Sequence, residues 1–238
     1  MKLNNKRTIL VGLAFLSICA FWQMYDSIVP LILTKTFHMN ETFSGAIMAA
    51  DNILALFLLP FFGSVSDKSH SKLGKRMPFI LFGTGCAIIL MNILPLLDNS
   101  YAAQPSGFKT ASFVIVLGLL LVAMGTYRAP AVALMPDVTP KPLRSRANAI
   151  INLMGAVGGI LYLGVAAVLY PNSKTAGLDH VNYQPLFIVV SAIMFVAVAV
   201  LFLTIREPKL TAENQALEKQ HPEWNLAQDD GIRCPHCR

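Results

Sequence analysis

The sequence predicts an all-α integral membrane protein with six transmembrane helices, and three observations carry that class. Charged residues make up only 13% of the chain and hydrophobic ones 55%, whereas a soluble domain uses about 25% charged residues to cover its surface. Six apolar runs are each long enough to cross a hydrocarbon layer of about 30 Å, which takes about 20 helical residues. Lysine and arginine are shared unevenly between alternate connections. Helices follow rather than barrel strands, because the runs are long and backbone inside a bilayer must be hydrogen-bonded internally.

The runs lie near Ile9–Phe37, Thr42–Ser66, Met77–Leu97, Ala111–Pro136, Ala147–Tyr170 and Pro185–Ile205. The first is too long for a signal peptide and continues toward a second span without a small-residue cleavage site. One set of connections carries Lys2, Lys6, Arg7, Lys68, Lys72, Lys75, Arg76, Lys141, Arg144, Arg146, Arg206 and Lys209. The other carries Lys35, Lys109 and Lys174. Twelve against three places both termini on the cytoplasmic side of the cell membrane by the positive-inside rule.

The first span is apolar to Phe21 and then reads Trp22-Gln23-Met24-Tyr25-Asp26. If its helix runs to Phe37, Asp26 lies about 16 Å below the surface. If the helix is shorter, Asp26 sits at the interface beside a Trp/Tyr belt. The second span carries Asp51 and Asn52 two to three turns from its end, and Pro60 near the other end. An acid at that depth is costly, so it faces the bundle interior, a water-filled path or a hydrogen-bonding neighbour.

The loop Gly63-Ser-Val-Ser-Asp67-Lys68, continuing to Gly74-Lys75-Arg76-Met-Pro78, is basic and polar between two apolar runs. An acid follows a glycine at the end of one helix, and a Gly-Lys-Arg cluster opens the next. That order can clamp two helix ends through an ion pair and close backbone contact. The third span reads as a plain packing or lipid-facing helix, followed by a short polar loop from Asp98.

The fourth span holds Arg128 between Tyr127 and Pro130, about 13 Å from Asp137. Arginine cannot discharge itself by losing a proton, so it needs a counter-charge, for which Asp26 and Asp51 are the acids of comparable depth, or it snorkels to the interface. Asp137 with Arg144 and Arg146 makes a second basic turn of the same kind as Asp67 with Lys75 and Arg76. In the fifth span, Gly155-x-x-x-Gly159 gives a groove for close helix approach. The sixth is uniformly apolar and reads as peripheral. The composition divides the chain into a transmembrane domain, 1–210, and a polar cytoplasmic tail, 211–238, expected to be disordered.

The tail ends in Cys234-Pro235-His236-Cys237. Structural zinc wants four ligands, and no second pair accompanies this one, so no metal is expected. No cofactor or nucleic-acid partner is expected either. A membrane enzyme acting on diphosphates needs clustered aspartates, whereas Asp51 and Asp67 are isolated and on opposite sides.

The Gly63–Pro78 loop resembles the connection between the second and third helices of the major facilitator superfamily: a glycine, three residues, an acid–base pair, then Gly with basic residues. The three extra residues before Gly74 and the closing proline are similar to the glycoside–cation symporters and the sucrose-carrier branch. Arg146-Ala147-Asn148-Ala149 is similar to that branch's opening of helix five. The resemblance implies half of a twelve-helix fold, its six helices arranged as two three-helix repeats, with the polar tail where a central loop would be. It implies secondary transport of a sugar or glycoside.

Melibiose-type symporters place two carboxylates one and five residues before the P-x-x-G of this helix, where this chain has Leu59 and Ala55. The sodium site therefore does not carry over. A proton, which needs one carboxylate, is the more economical coupling ion, and Asp51 is one turn further along the same face. In this reading Trp22, Tyr25 and Asp26 meet the sugar, Asp51 carries the proton and Arg128 holds a carboxylate charged. Gln23, Asn52 and Tyr127 flank the path. Alternatives are a drug or metabolite exporter of the same fold, or a truncated, non-transporting half that associates with a full carrier. A transporting half would pair with a second six-helix half or another copy of itself.

Overall fold

The computed structural model describes residues 4–69, 71–171, 175, 178, 180–221 and 224. Six helices are long and apolar enough to cross a membrane. They are α1 (Asn5–Leu31), α2 (Glu41–Asp67), α3 (Met77–Ala103), α4 (Gly107–Val138), α5 (Arg144–Leu169) and α6 (Gln184–Thr204). A shorter helix, α7 (Glu207–Gln220), follows them.

Helices α2, α3, α4 and α5 outlast the apolar runs that predict them, because polar residues at the ends continue the backbone ladder. Asn4 and Asn40 cap α1 and α2 by accepting from the Arg7 and Thr42 amides, which satisfies donors a helix start leaves orphaned. Pro30 removes a donor inside α1, and the helix relaxes into a π turn at Ile32–Thr36. There the Phe37 amide donates to Ile32 O and the Met39 amide to Leu33 O. Gly63 is inside α2 rather than at its end, one turn before Asp67.

Three pairings build the bundle: α1 on α5, α3 on α4, and α3 on α6. The further pairings of α2 on α4 and α1 on α6 complete a pattern that survives exchange of α1–α3 with α4–α6, as two related three-helix units require. Phe21, Met24, Ile80, Met91, Phe113, Met124, Phe187 and Met194 fill the centre and are fully buried. Small residues set how closely the helices approach. A β-carbon on Gly83 would sit 2.7 Å from the Tyr127 amide nitrogen, and one on Gly158 would collide with the Leu16 carbonyl. The predicted small-residue groove on α5 is therefore real, with Gly158 and Gly155 as its tight positions and Gly159 looser.

Two sequence expectations change. The sixth span is not peripheral: Leu186, Phe187, Val190, Met194 and Leu201 are buried, and Ser191 accepts a 2.7 Å hydrogen bond from the Asn92 amide of α3. Uniform apolarity says nothing about which face is covered. The residues after Arg206 form helix where a mobile tail was expected, at least through Gln220. Pro208 near the helix start and buried polar anchors explain it. Asn214 is buried and donates to the carbonyls of Asp137 and Thr139, and Glu218 pairs with Arg144 at 3.0 Å. The terminal Cys234 and Cys237 lie outside the described residues.

Glu207 makes the principal contact of α7. Its buried carboxylate accepts from the amides of Lys75 (2.8 Å), Arg76 (2.9 and 3.1 Å) and Met77 (2.8 Å), capping the start of α3. Gly74 makes room for it, with φ +113° and no space for a β-carbon beside that carboxylate. A carboxylate at a helix N-terminus is favoured by the aligned peptide dipoles as well as by the hydrogen bonds. Glu207→Ala leaves these donors unsatisfied. It is expected to cost roughly 2 kcal/mol, read as a lowered unfolding temperature of the detergent-solubilised protein, with Glu207→Gln falling between the two.

Candidate functional site

Two polar constellations stand out, and they differ in kind. The first lies among α1, α2 and α4, around a cavity of about 20 Å³ lined in part by Trp22, Asp51 and Arg128. That space suffices for one water molecule. Ala55 and Leu59 line the same cavity, so residues 51, 55 and 59 do share one helix face, and of the three only Asp51 ionises.

Trp22 stands edge-on to Phe21 and Tyr25, at centroid separations of 5.4 Å each, and Tyr25 stacks on Phe21 at 6.1 Å. The Arg128 guanidinium lies over the Trp22 ring, 5.6 Å from its centroid, within cation–π range. The pairing of Arg128 with Asp26 or Asp51 expected from depth is not formed: among the described residues no ion pair within 4.0 Å joins them. The indole face supplies the partial negative charge instead, and the cavity separates the guanidinium from Asp51.

Three buried polar atoms here have no hydrogen-bond partner among the described residues: Trp22 Nε1, Tyr25 Oη and Asp51 Oδ1. Native interiors leave few such groups, and each asks for a reason. Asp26 and Asn52 are exposed on the same two helices, and Gln23 is half-buried opposite Gly159. Tyr127 does not join them. It is fully buried between α1 and α4, its hydroxyl 2.7 Å from Ser17 Oγ and donating to Ala14 O at 3.1 Å, so it fastens the bundle.

The second constellation lies at the end of the bundle that carries the basic connections. Arg76, 6% exposed, pairs with Asp67 through Nη2 and with Asp137 through Nε at 2.9 Å. Its Nη1 donates to Ser66 Oγ at 2.6 Å and to Gly63 O at 3.3 Å. One side chain thus joins the ends of α2, α3 and α4.

Asp137 does not pair with Arg144 or Arg146, as their proximity in sequence suggested. Arg144 turns to Thr139 O and Glu218, Arg146 is exposed, and the two basic turns meet at a single arginine. Lys68 and Lys75 have exposed side chains, and Lys75 contributes its backbone amide to Glu207. Arg7 adds a 2.8 Å bond to Val138 O. Sequence reasoning missed Glu207, although Arg206-Glu207-Pro208 after an apolar run has the form of a helix start.

A family model described as Major Facilitator Superfamily matches residues 11–228. Sucrose transport protein SUC3 of Arabidopsis thaliana is 35% identical over 158 residues, 61% of this chain and 26% of that protein. Sucrose transport protein SUT3 of Oryza sativa subsp. indica is 36% identical over 154 residues, 59% of this chain and 30% of that protein. Solute carrier family 45 member 3 of Homo sapiens is 25% identical over 213 residues, 88% of this chain and 37% of that protein. The chain therefore covers between 26% and 37% of the length of these relatives. No solved structure gives a significant match. The matched span and the six membrane-length helices agree: this chain is a multi-pass membrane protein that belongs to the major facilitator superfamily.

Proposed function

We propose that this chain moves a sugar or glycoside across the cell membrane by proton symport, as one six-helix unit of a carrier with both termini cytoplasmic. The observation that carries the reading is the trio of unpartnered buried atoms, Trp22 Nε1, Tyr25 Oη and Asp51 Oδ1, beside Arg128. Two can donate and one accepts, next to an aromatic face. That set suits the hydroxyls of a sugar that reaches it from the open side; the enclosed space itself takes one water, so the ring is admitted only as the helices part. The sucrose transport proteins among its relatives favour the same solute class.

Asp51 carries the coupling proton. Moving a bare charge through a bilayer is expensive, so a carboxylate that crosses between states does so neutral. Arg128 lines the same cavity as Asp51 and brings a fixed positive charge to it. Asp26, exposed on α1, meets the solute from the open side. The exposed faces of α2 and α5, with Ile53 at 61%, Leu56 at 70% and Ile160 at 67%, are where a second six-helix unit or another copy completes the path.

The Arg76 clamp holds the basic end together in one state and reforms after each cycle. Two acids sharing one arginine permit this, since either can keep the charge paired while the other moves.

Uptake of radiolabelled sucrose, maltose and melibiose into vesicles containing the chain, with and without an inward proton gradient, tests the reading. Gradient-dependent accumulation is expected for at least one sugar, and no accumulation of any refutes it for this chain alone. Asp51→Asn is expected to abolish gradient-driven accumulation while leaving part of the exchange activity; unchanged accumulation removes Asp51 from the coupling role. Arg76→Ala is expected to lower the transport rate by roughly tenfold or more with little change in half-saturating concentration, and Lys75→Ala to do much less. Equal losses from the two variants contradict the clamp.

A further inference from the structure

At the bundle end opposite the basic connections, a buried carboxylate takes no part in either constellation. Asp98, in the last turns of α3, is 0% exposed, and neither of its oxygens has a hydrogen-bond partner among the described residues. The apolar-run criterion placed it in a loop; the helix continues to Ala103 and carries it inside. An ionised carboxylate in that position is costly unless it is paired, and otherwise it takes up a proton.

Its neighbour is His180, from the segment ahead of α6, whose Nδ1 lies 3.9 Å from Asp98 Oδ2. The surrounding hydrogen bonds determine which ring nitrogen of His180 carries hydrogen. The Gln184 amide donates to Asn182 Oδ1 (2.9 Å), so that atom is an acceptor. Asn99 Nδ2 donates to the same oxygen (2.9 Å), which leaves Asn99 Oδ1 facing His180 Nε2 at 2.9 Å. Nε2 must therefore be the donor. In neutral His180 the lone pair is then on Nδ1, facing Asp98.

Thr36 Oγ1 lies 3.2 Å from the same Nδ1 and within reach of Asp98. One hydroxyl proton cannot serve both. With neutral His180 and ionised Asp98, two electron-rich atoms face each other in a buried site, and Thr36 can satisfy only one. A single added proton resolves the conflict. On Nδ1 it donates to Thr36 and frees the hydroxyl for Asp98, and on Asp98 it removes the buried charge.

We propose that Asp98 and His180 together form a proton-binding site, and that the bound proton ties the π turn of α1 to α3 and to the start of α6. Among the described residues, the other titratable group facing Asp98 is Tyr183. Burial first, then the Asp98 charge, pushes its phenol above the ordinary range, so it stays neutral. From α1 the facing group is Thr36, from α3 it is Asn99, and Lys109 of α4 is engaged by the carbonyls of Ser100 and Gln104. Tyr170 at the end of α5 donates to Asn182 O at 2.7 Å, which steadies the segment that presents His180.

The sign follows from where the proton is. The tie holds the proton in the folded, closed arrangement, so it is complete at the acid end of the range and is lost as pH rises through the pair's titration. Histidine normally changes charge between about pH 5 and 8, which is the range to search. This inference is independent of the transported solute.

Hydrogen–deuterium exchange of the full chain in lipid nanodiscs, from about pH 5.5 to 8.5 and corrected for intrinsic chemical exchange, reads the tie at residues 33–39. The expected result is protection that falls by roughly tenfold with rising pH in the wild type. Asp98→Asn and His180→Gln should each remove that pH dependence. A flat wild-type profile, or a wild-type slope in either variant, overturns the proposal. If Asp98→Asn does not fold, His180→Gln alone decides by the same criterion.

Discussion

The Arg76 guanidinium is the contact on which the basic end of the bundle depends. Asp67 and Asp137 reach it from the ends of α2 and α4, and Ser66 and Gly63 take further donors. Its own backbone amide is held by Glu207. Buried charge is tolerable only when paired and hydrogen-bonded, and removal of one partner from a buried pair is far more damaging than the pair itself is stabilising. Asp67 remains substantially exposed, so solvent screens that half of the clamp. Asp137 is the firmer partner. The consequence is a junction that specifies how three helix ends meet without a deep energetic commitment.

The α1–α2–α4 site has the opposite character. At the clamp the arginine is bonded on every side, whereas around the 20 Å³ cavity Trp22, Tyr25 and Asp51 each present a buried atom with nothing to bond. Packing holds the aromatic groups in place, since Phe21 and Tyr25 are 0% exposed and Tyr127 locks α1 to α4 through Ser17 and Ala14. Rigid surroundings with unfilled hydrogen-bonding capacity are the two features on which the proposed solute site rests.

Local chemistry made much of this legible in the sequence. Apolar runs located the spans, and the loop from Gly63 to Pro78 marked Asp67 with Lys75 and Arg76 as a clamp between helix ends. Asp51 and Arg128 were recognisable because charges inside apolar runs demand an explanation. What stayed hidden depended on contacts distant in sequence. Nothing near Asp137 indicates that its partner is Arg76 rather than Arg144. Asp98 ended an apolar run and so looked like loop, although α1 and the segment before α6 bury it. Glu207 sat in a polar stretch, and its role appears only once the start of α3 is beside it. The burial of α6 was invisible because a uniformly apolar helix has no pattern from which to read a face.

The most direct measurement is the emission of Trp22 in vesicles, with Trp224 replaced by phenylalanine, during titration with sucrose, maltose and melibiose at several pH values. If the Trp22 face with Asp51 and Arg128 binds solute and proton together, emission changes saturably with at least one sugar, the midpoint shifts with pH, and Asp51→Asn removes the pH shift. Emission that stays flat for all three sugars, or responds identically without Asp51, contradicts it.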